Sequence, residues 1–201
     1  MRQHTGFHGR REGEDLAANP SLYRSGAPYE GLVKAVTAAA WVGLTSMDAW
    51  IAYLALNHII PSQPSLYIVA ITVTTTLSVL LGTFLFSPRG FELTWKGLVI
   101  KRPLKSFVIP YNEIVAVERV RIPRSGIRLF ASGGIHGFFG LFRLKGIGRV
   151  WMYVTDRNKG ILIKTKRGVQ YIISPENPDA FLDVLKAMLG KTGNSEKPLR
   201  S

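Results

Sequence analysis

Two apolar runs, Ala35 to Leu56 and Ser65 to Phe86, lie back to back near the N-terminus, broken only by Asp48 and joined by the short link Asn57 to Pro64. Each has about the twenty residues that an α-helix needs to cross a hydrocarbon core about 30 Å thick, and so short a link permits only an antiparallel hairpin. Core helices of a soluble protein carry a polar stripe, and neither run has one. The β-branched stretch AITVTTTLSVL favours strand by composition, but its uninterrupted length favours helix. The expectation is a transmembrane hairpin over 34–86, with spans 35–56 and 65–86.

Orientation follows from the basic residues, because Lys and Arg near span ends are retained on the cytoplasmic side. Lys34 precedes the first span, Arg89 follows the second, and the link NHIIPSQP has neither Lys nor Arg. The expected topology is a two-span protein of the cell membrane with both termini cytoplasmic, Trp41 and Tyr67 serving as interfacial anchors. The first run starts some thirty residues in and is too long for a cleaved leader, so it reads as an uncleaved insertion signal.

Asp48 is the one ionisable group inside a span, and an intramembrane carboxylate is costly to bury unpaired. In a hairpin centred on the link it lies level with Val73, bracketed by Thr72 and Thr76. One reading has Asp48 hydrogen-bonding those hydroxyls and locking the hairpin, with Ala38, Ala39, Gly43 and Gly82 allowing close approach. The other makes Asp48 a proton or ion relay, which one carboxylate on two helices supports only in an oligomer.

The net charge of +13 resides beyond the hairpin, where 21 Lys and Arg stand against 8 Asp and Glu from Arg89 onward. With no cysteine in the chain, disulfides and thiolate metal sites are excluded. Residues 1–33 are polar, Gly-rich and without apolar period, the pattern of a disordered cytoplasmic tail. His4 and His8 stand at helical spacing with no helix to hold them, so no metal site is expected.

From Phe91 the period changes to two. Phe91, Leu93 and Trp95 alternate with polar residues, Lys96-Gly97 turns the chain, and Leu98 to Arg102 returns it. Ser106 to Ile109 and Glu113 to Ile122 follow, each stopped by a proline. Val150 to Thr155, Ile161 to Lys166 and Val169 to Ser174 bring the expected total to seven strands. A helix closes the chain: Asn177 caps it, Pro178 takes the first position, Phe181, Leu182, Leu185, Met188 and Leu189 share a face, and Gly190 ends it. The fold class is therefore an α+β membrane protein, a two-helix hairpin followed by a seven-stranded antiparallel β-barrel over 87–190 that the C-terminal helix caps, with 191–201 as a disordered tail.

The phrases Trp95-Lys96-Gly97-Leu98-Val99-Ile100 and Ile109-Pro110-Tyr111-Asn112-Glu113-Ile114, the block RLFASGGIHGFFGLFRLKGIGRVWMYVT, and Ser174-Pro175-Glu176-Asn177-Pro178 followed by Phe181 resemble the bacterial and archaeal pleckstrin-homology-like (PH-like) domain family. The resemblance covers about Phe91 to Leu189. It implies a PH-like barrel, a non-enzymatic role at membranes, and front-mounted transmembrane hairpins such as this one. It supplies no ligand and no cofactor, and a shared fold does not transmit function.

The segment Arg124 to Arg149 holds the binding candidates. It combines Arg124, Arg128, Arg143, Lys145 and Arg149 with Phe138, Phe139 and Phe142, the loop residue His136, and seven glycines. Long Gly-rich connections in compact domains are commonly functional. One reading is a basic, aromatic loop facing the anionic inner leaflet, where each Lys or Arg is worth about 1 kcal/mol. The other has the Phe rings filling the barrel and the charges as an ordinary cytoplasmic excess.

The run Ser132 to Gly137 lacks the strand and helix context of a phosphate-binding loop. Nucleic acid would also explain the charge, but a membrane tether disfavours it. No Ser/His/Asp group, HExxH or productive carboxylate pair appears, so an enzyme is not expected. The chain reads as a membrane-anchored binding or scaffolding module whose partners are membrane lipids with anionic head groups and a protein partner or second copy. The rival is a subunit of a transport or ion-conducting assembly that uses Asp48.

Overall fold

The computed structural model describes residues 21–57, 62–123 and 125–195. Helix α1 spans Gly31–Leu56 and helix α2 spans Ser62–Phe86, each starting a few residues before the apolar run that predicts it. Pro64 falls in the first turn of α2, where its missing N–H breaks no helical bond. Asn57 closes α1, its side-chain amide donating to the Tyr53 carbonyl at 2.8 Å. Thr residues, poor helix formers in water, are accommodated because their hydroxyls donate back to the preceding turn, Thr83 to Val79 at 2.8 Å and Thr72 to Val69 at 3.0 Å.

Ten strands are present among the described residues, not seven. Strands β1 (Tyr23–Gly26), β2 (Gly90–Thr94), β3 (Gly97–Lys101) and β4 (Phe107–Pro110) form an antiparallel sheet in that order. Strands β5 (Ile114–Val120), β6 (Gly126–Gly134), β7 (Gly137–Leu144), β8 (Gly148–Val154), β9 (Gly160–Thr165) and β10 (Gln170–Ile173) form a second sheet ordered β5-β9-β10-β8-β7-β6. The two sheets do not close into a barrel, and β8 and β10 pair in parallel, so the expectation of a closed antiparallel barrel is corrected on both counts. Both β5 and β6 remain edges.

The N-terminal tail is corrected too. Residues 1–20 lie outside the described residues, but Tyr23–Gly26 is a strand paired with β2, the first strand after the helices. Four residues with one buried position carry no readable period. What orders them is tertiary: Tyr23 meets Phe181 edge to face at 5.8 Å, and the Ser25 hydroxyl accepts from the Glu176 amide at 2.9 Å. Because β1 and β2 flank the hairpin in sequence and pair in space, both helix ends meet one body.

Helix α3 (Pro178–Ser195) runs past Gly190, which has open space around it and no call for a left-handed turn, so the helix takes in Lys191 to Ser195, the first part of the expected tail. Phe181, Leu182 and Leu185 enter the core between the sheets with Phe91, Leu93, Leu98, Ile100, Ile161, Ile163 and Ile173. A second cluster lies on the other face of the six-stranded sheet: Phe138, Phe142, Leu144, Val150, Met152, Val154, Leu162 and Ile172, covered by Ile122 and by Val33 from the first turn of α1.

Candidate functional site

The segment expected as one loop is a β-hairpin. Strand register pairs Phe138 with Val154, Phe142 with Val150 and Gly134 with Gly137. Phe138, Phe139 and Phe142 are all buried, so these rings pack the domain and are not available to a bilayer. Gly140 has positive φ, and a Cβ there would collide with the backbone of Phe130 and Ala131, so a side chain is excluded where the hairpin is tightest.

The two ends of this hairpin differ. At one end the turn Ile135-His136 touches the helices. The His136 amide donates to Thr37 Oγ1 on α1 at 2.9 Å, and its ring lies between Trp41 Nε1 at 3.5 Å and Thr83 Oγ1 at 3.2 Å. An indole N–H only donates, so Nε2 accepts and the ring proton belongs on Nδ1, which donates to Thr83. The ring meets Phe84 edge to face at 5.7 Å, and the Arg89 guanidinium stands 4.3 Å over Phe84. Burial, then the Arg89 charge, hold the His136 pKa below the ordinary histidine value. His136 has φ of 55°, a strained conformation for a side-chain-bearing residue. Its place is a structural joint between hairpin and helices.

Next to the joint, the entrance of α1 is pinned. The Glu30 amide donates to the Thr155 carbonyl at 2.9 Å, its carboxylate accepts from the Arg157 amide at 3.2 Å, and the Arg157 guanidinium covers the Phe138 ring at 3.9 Å.

At the remote end, six residues or about 20 Å along β7 from Gly137, the basic candidates collect. Arg143 and Arg149 stand directly opposite each other across β7 and β8, both exposed, and neither makes an ion pair among the described residues. Like charges at directly opposed positions destabilise a sheet. Lys145 lies in the turn between them and is exposed. Ile127, opposite Arg143, and Phe130 add exposed apolar surface on β6. Arg128 is exposed, with its guanidinium along Gly133, and Arg124 lies outside the described residues. Beside the same turn an open cleft of about 580 Å³ is lined by Gly146, Ile147, Leu162, Gln170 and the Lys164–Glu118 ion pair.

In the helices, Asp48 Oδ1 is buried without a hydrogen-bond partner, and no bond joins Asp48 to Thr72 or Thr76. Thr76 is buried but Thr72 is satisfied by its own helix, so the expected polar lock is not made within the hairpin. Among the described residues no group of three or more His, Asp or Glu is placed to hold a metal ion.

Two packed sheets, one closed over by a C-terminal helix, define a PH-like domain. The family described as Bacterial PH domain matches residues 89–189, half of the chain, and the chain belongs to it. No curated protein and no solved structure matches the chain.

Proposed function

We propose that this chain is a membrane-anchored binding module: α1 and α2 cross the cell membrane, and the PH-like domain sits on their cytoplasmic ends and offers a basic face to an anionic partner. Both helices are long and apolar enough to cross. PH-like domains are in general binding or scaffolding modules without catalysis. The observation that carries the binding reading is the opposition of Arg143 and Arg149, whose mutual repulsion an anionic partner would relieve. Because these residues lie at the end of the sheet remote from the joint, the face suits an acidic protein segment better than the bilayer beneath the domain.

The test is binding of a fluorescent polyglutamate peptide to the full chain held in phosphatidylcholine nanodiscs, read by anisotropy at low and high salt. The reading expects salt-sensitive binding. Replacing Arg143, Lys145 and Arg149 together by Ala should weaken it about tenfold, or 1.4 kcal/mol. No binding at low salt, or equal binding by the triple variant, would contradict it.

A second reading rests on Asp48. A buried carboxylate oxygen without a partner finds one readily on a neighbouring copy, as in a subunit of a transport or conducting assembly. Asp48→Asn should then abolish flux across vesicles containing the protein, whereas a plain anchor would retain all its properties.

A further inference from the structure

The connection between β3 and β4, Arg102 to Ser106, lies against the end of α2. The Leu104 amide donates to the Leu85 carbonyl at 3.1 Å. Carbonyls in the last turn of a helix have no intrahelical donor, so this bond caps α2 and fixes the loop's height along the helix axis. Arg102 holds the loop in shape. Its Nε donates to the Lys105 carbonyl at 2.8 Å, and its guanidinium stands 5.1 Å over Phe107 and 5.7 Å over Tyr153.

This preformed turn leaves a leucine in the open. Leu104 is 57 % exposed, and Pro103 and Lys105 beside it are exposed too. Phe86, the last residue of α2, is also exposed. No Asp or Glu occurs from Leu93 through Asn112, while Lys96, Lys101, Arg102 and Lys105 do. From Leu66 to Phe86 the helix rises about 31 Å at 1.5 Å per residue, matching a hydrocarbon core of about 30 Å. The Leu85 carbonyl therefore sits within a turn of the hydrocarbon boundary, and the loop bonded to it sits at the same depth.

We infer that Pro103-Leu104 is a membrane-inserting wedge: Leu104 enters the acyl boundary of the leaflet under the domain, with Lys105 at the level of anionic head-group phosphates. The inference rests on the reading of α1 and α2 as spans. It places the lipid contact on the β3–β4 loop, apart from the basic face at Arg143 and Arg149. It also explains an exposed leucine on a loop held by the Leu85 and Lys105 carbonyls and by the Phe107 and Tyr153 rings.

The chain has no cysteine, so single-cysteine variants report cleanly. Leu104→Cys, Leu77→Cys in the middle of α2 and Val115→Cys on β5 are each labelled with an environment-sensitive fluorophore. Each labelled full chain is reconstituted into vesicles of mixed phosphatidylglycerol and phosphatidylcholine containing a spin-labelled lipid quencher. The wedge predicts strong quenching at Leu77, quenching at Leu104 several-fold above that at Val115, and a fall at Leu104 when phosphatidylglycerol is omitted or Lys105 is changed to Glu. Quenching at Leu77 with Leu104 behaving like Val115 would overturn the wedge and leave the spans standing. No quenching at Leu77 would overturn the spans and the wedge with them. Quenching at Leu104 that ignores both lipid charge and Lys105→Glu would overturn the head-group contact.

Discussion

The helices and the sheets follow opposite rules for apolar side chains. In α1 only Val33 is buried, and Val42, Met47, Trp50 and Tyr53 all face outward; in the sheets Phe91, Leu93, Leu98, Ile100, Ile161, Ile163 and Ile173 are fully or nearly fully buried. A sheet domain in water gains stability by removing such groups from solvent. A hairpin surrounded by lipid has no such gain to make and needs only satisfied backbone groups, which the helix supplies. The contrast is the physical content of the anchor reading, and it can be broken.

The largest effect should come from the domain core. Phe181→Ala removes a fully buried ring that contacts both Tyr23 and Phe91, and should cost about 3–5 kcal/mol in denaturant unfolding of the detergent-solubilised chain. Leu77→Ala, on the exposed face of α2, should leave that transition unmoved. Comparable losses for both would erase the contrast.

Next, Gly97→Ala should cost about 1–3 kcal/mol in the same assay. Gly97 has positive φ, and a Cβ would collide with the Ile109 carbonyl on the neighbouring strand. Gly43 and Gly82, within the helices, have open space around them, so alanine there should be neutral or slightly stabilising.

The joint between the regions should respond to pH. His136 is docked as the neutral ring with its pKa lowered by burial and by Arg89. Above about pH 6.5, the ordinary histidine value, the ring is neutral whether docked or free, and its contribution is fully present. As pH falls below that value toward the lowered docked pKa, the free ring takes up a proton first and docking weakens. The protection of the Gly134 to Gly137 amides against hydrogen exchange, relative to the intrinsic rate at each pH, should therefore fall in that window. His136→Ala should lose about 1–2 kcal/mol of local protection and the pH dependence together. Protection relative to the intrinsic rate that stays constant from neutral to mildly acidic pH would remove the joint.

The smallest effect belongs to the exposed Lys164–Glu118 pair at 2.8 Å. Lys164→Ala should change stability by no more than about 1 kcal/mol.

How far the sequence carried this account differs by element. The helices were legible because twenty apolar residues in a row have one cheap structure in a membrane. Strands β2 to β5 and β8 to β10 were legible from their period and turn residues. The β6–β7 hairpin was not: Gly133, Gly134, Gly137 and Gly140 interrupt the apolar alternation, and the register shift between Arg128 and Phe130 breaks what remains. Gly134-Ile135-His136-Gly137 is a two-residue turn between glycines. Strand β1 and the docking of His136 depend on partners far away in sequence, Leu93 and Thr37, and no local pattern encodes such pairings. Arg143, Lys145 and Arg149 are plain in the sequence as a basic group, but their separation from the helix-docked turn is a property of strand direction that only the fold supplies.

The central claim is that α1 and α2 cross a membrane and the domain lies on one side of it. Ser62→Cys, in the sequence between the apolar runs, and Val115→Cys, on β5, test it in a chain without native cysteine. In intact cells a membrane-impermeant maleimide should label Ser62→Cys at once and Val115→Cys only after permeabilisation. Equal labelling of the two positions in intact cells would contradict the account.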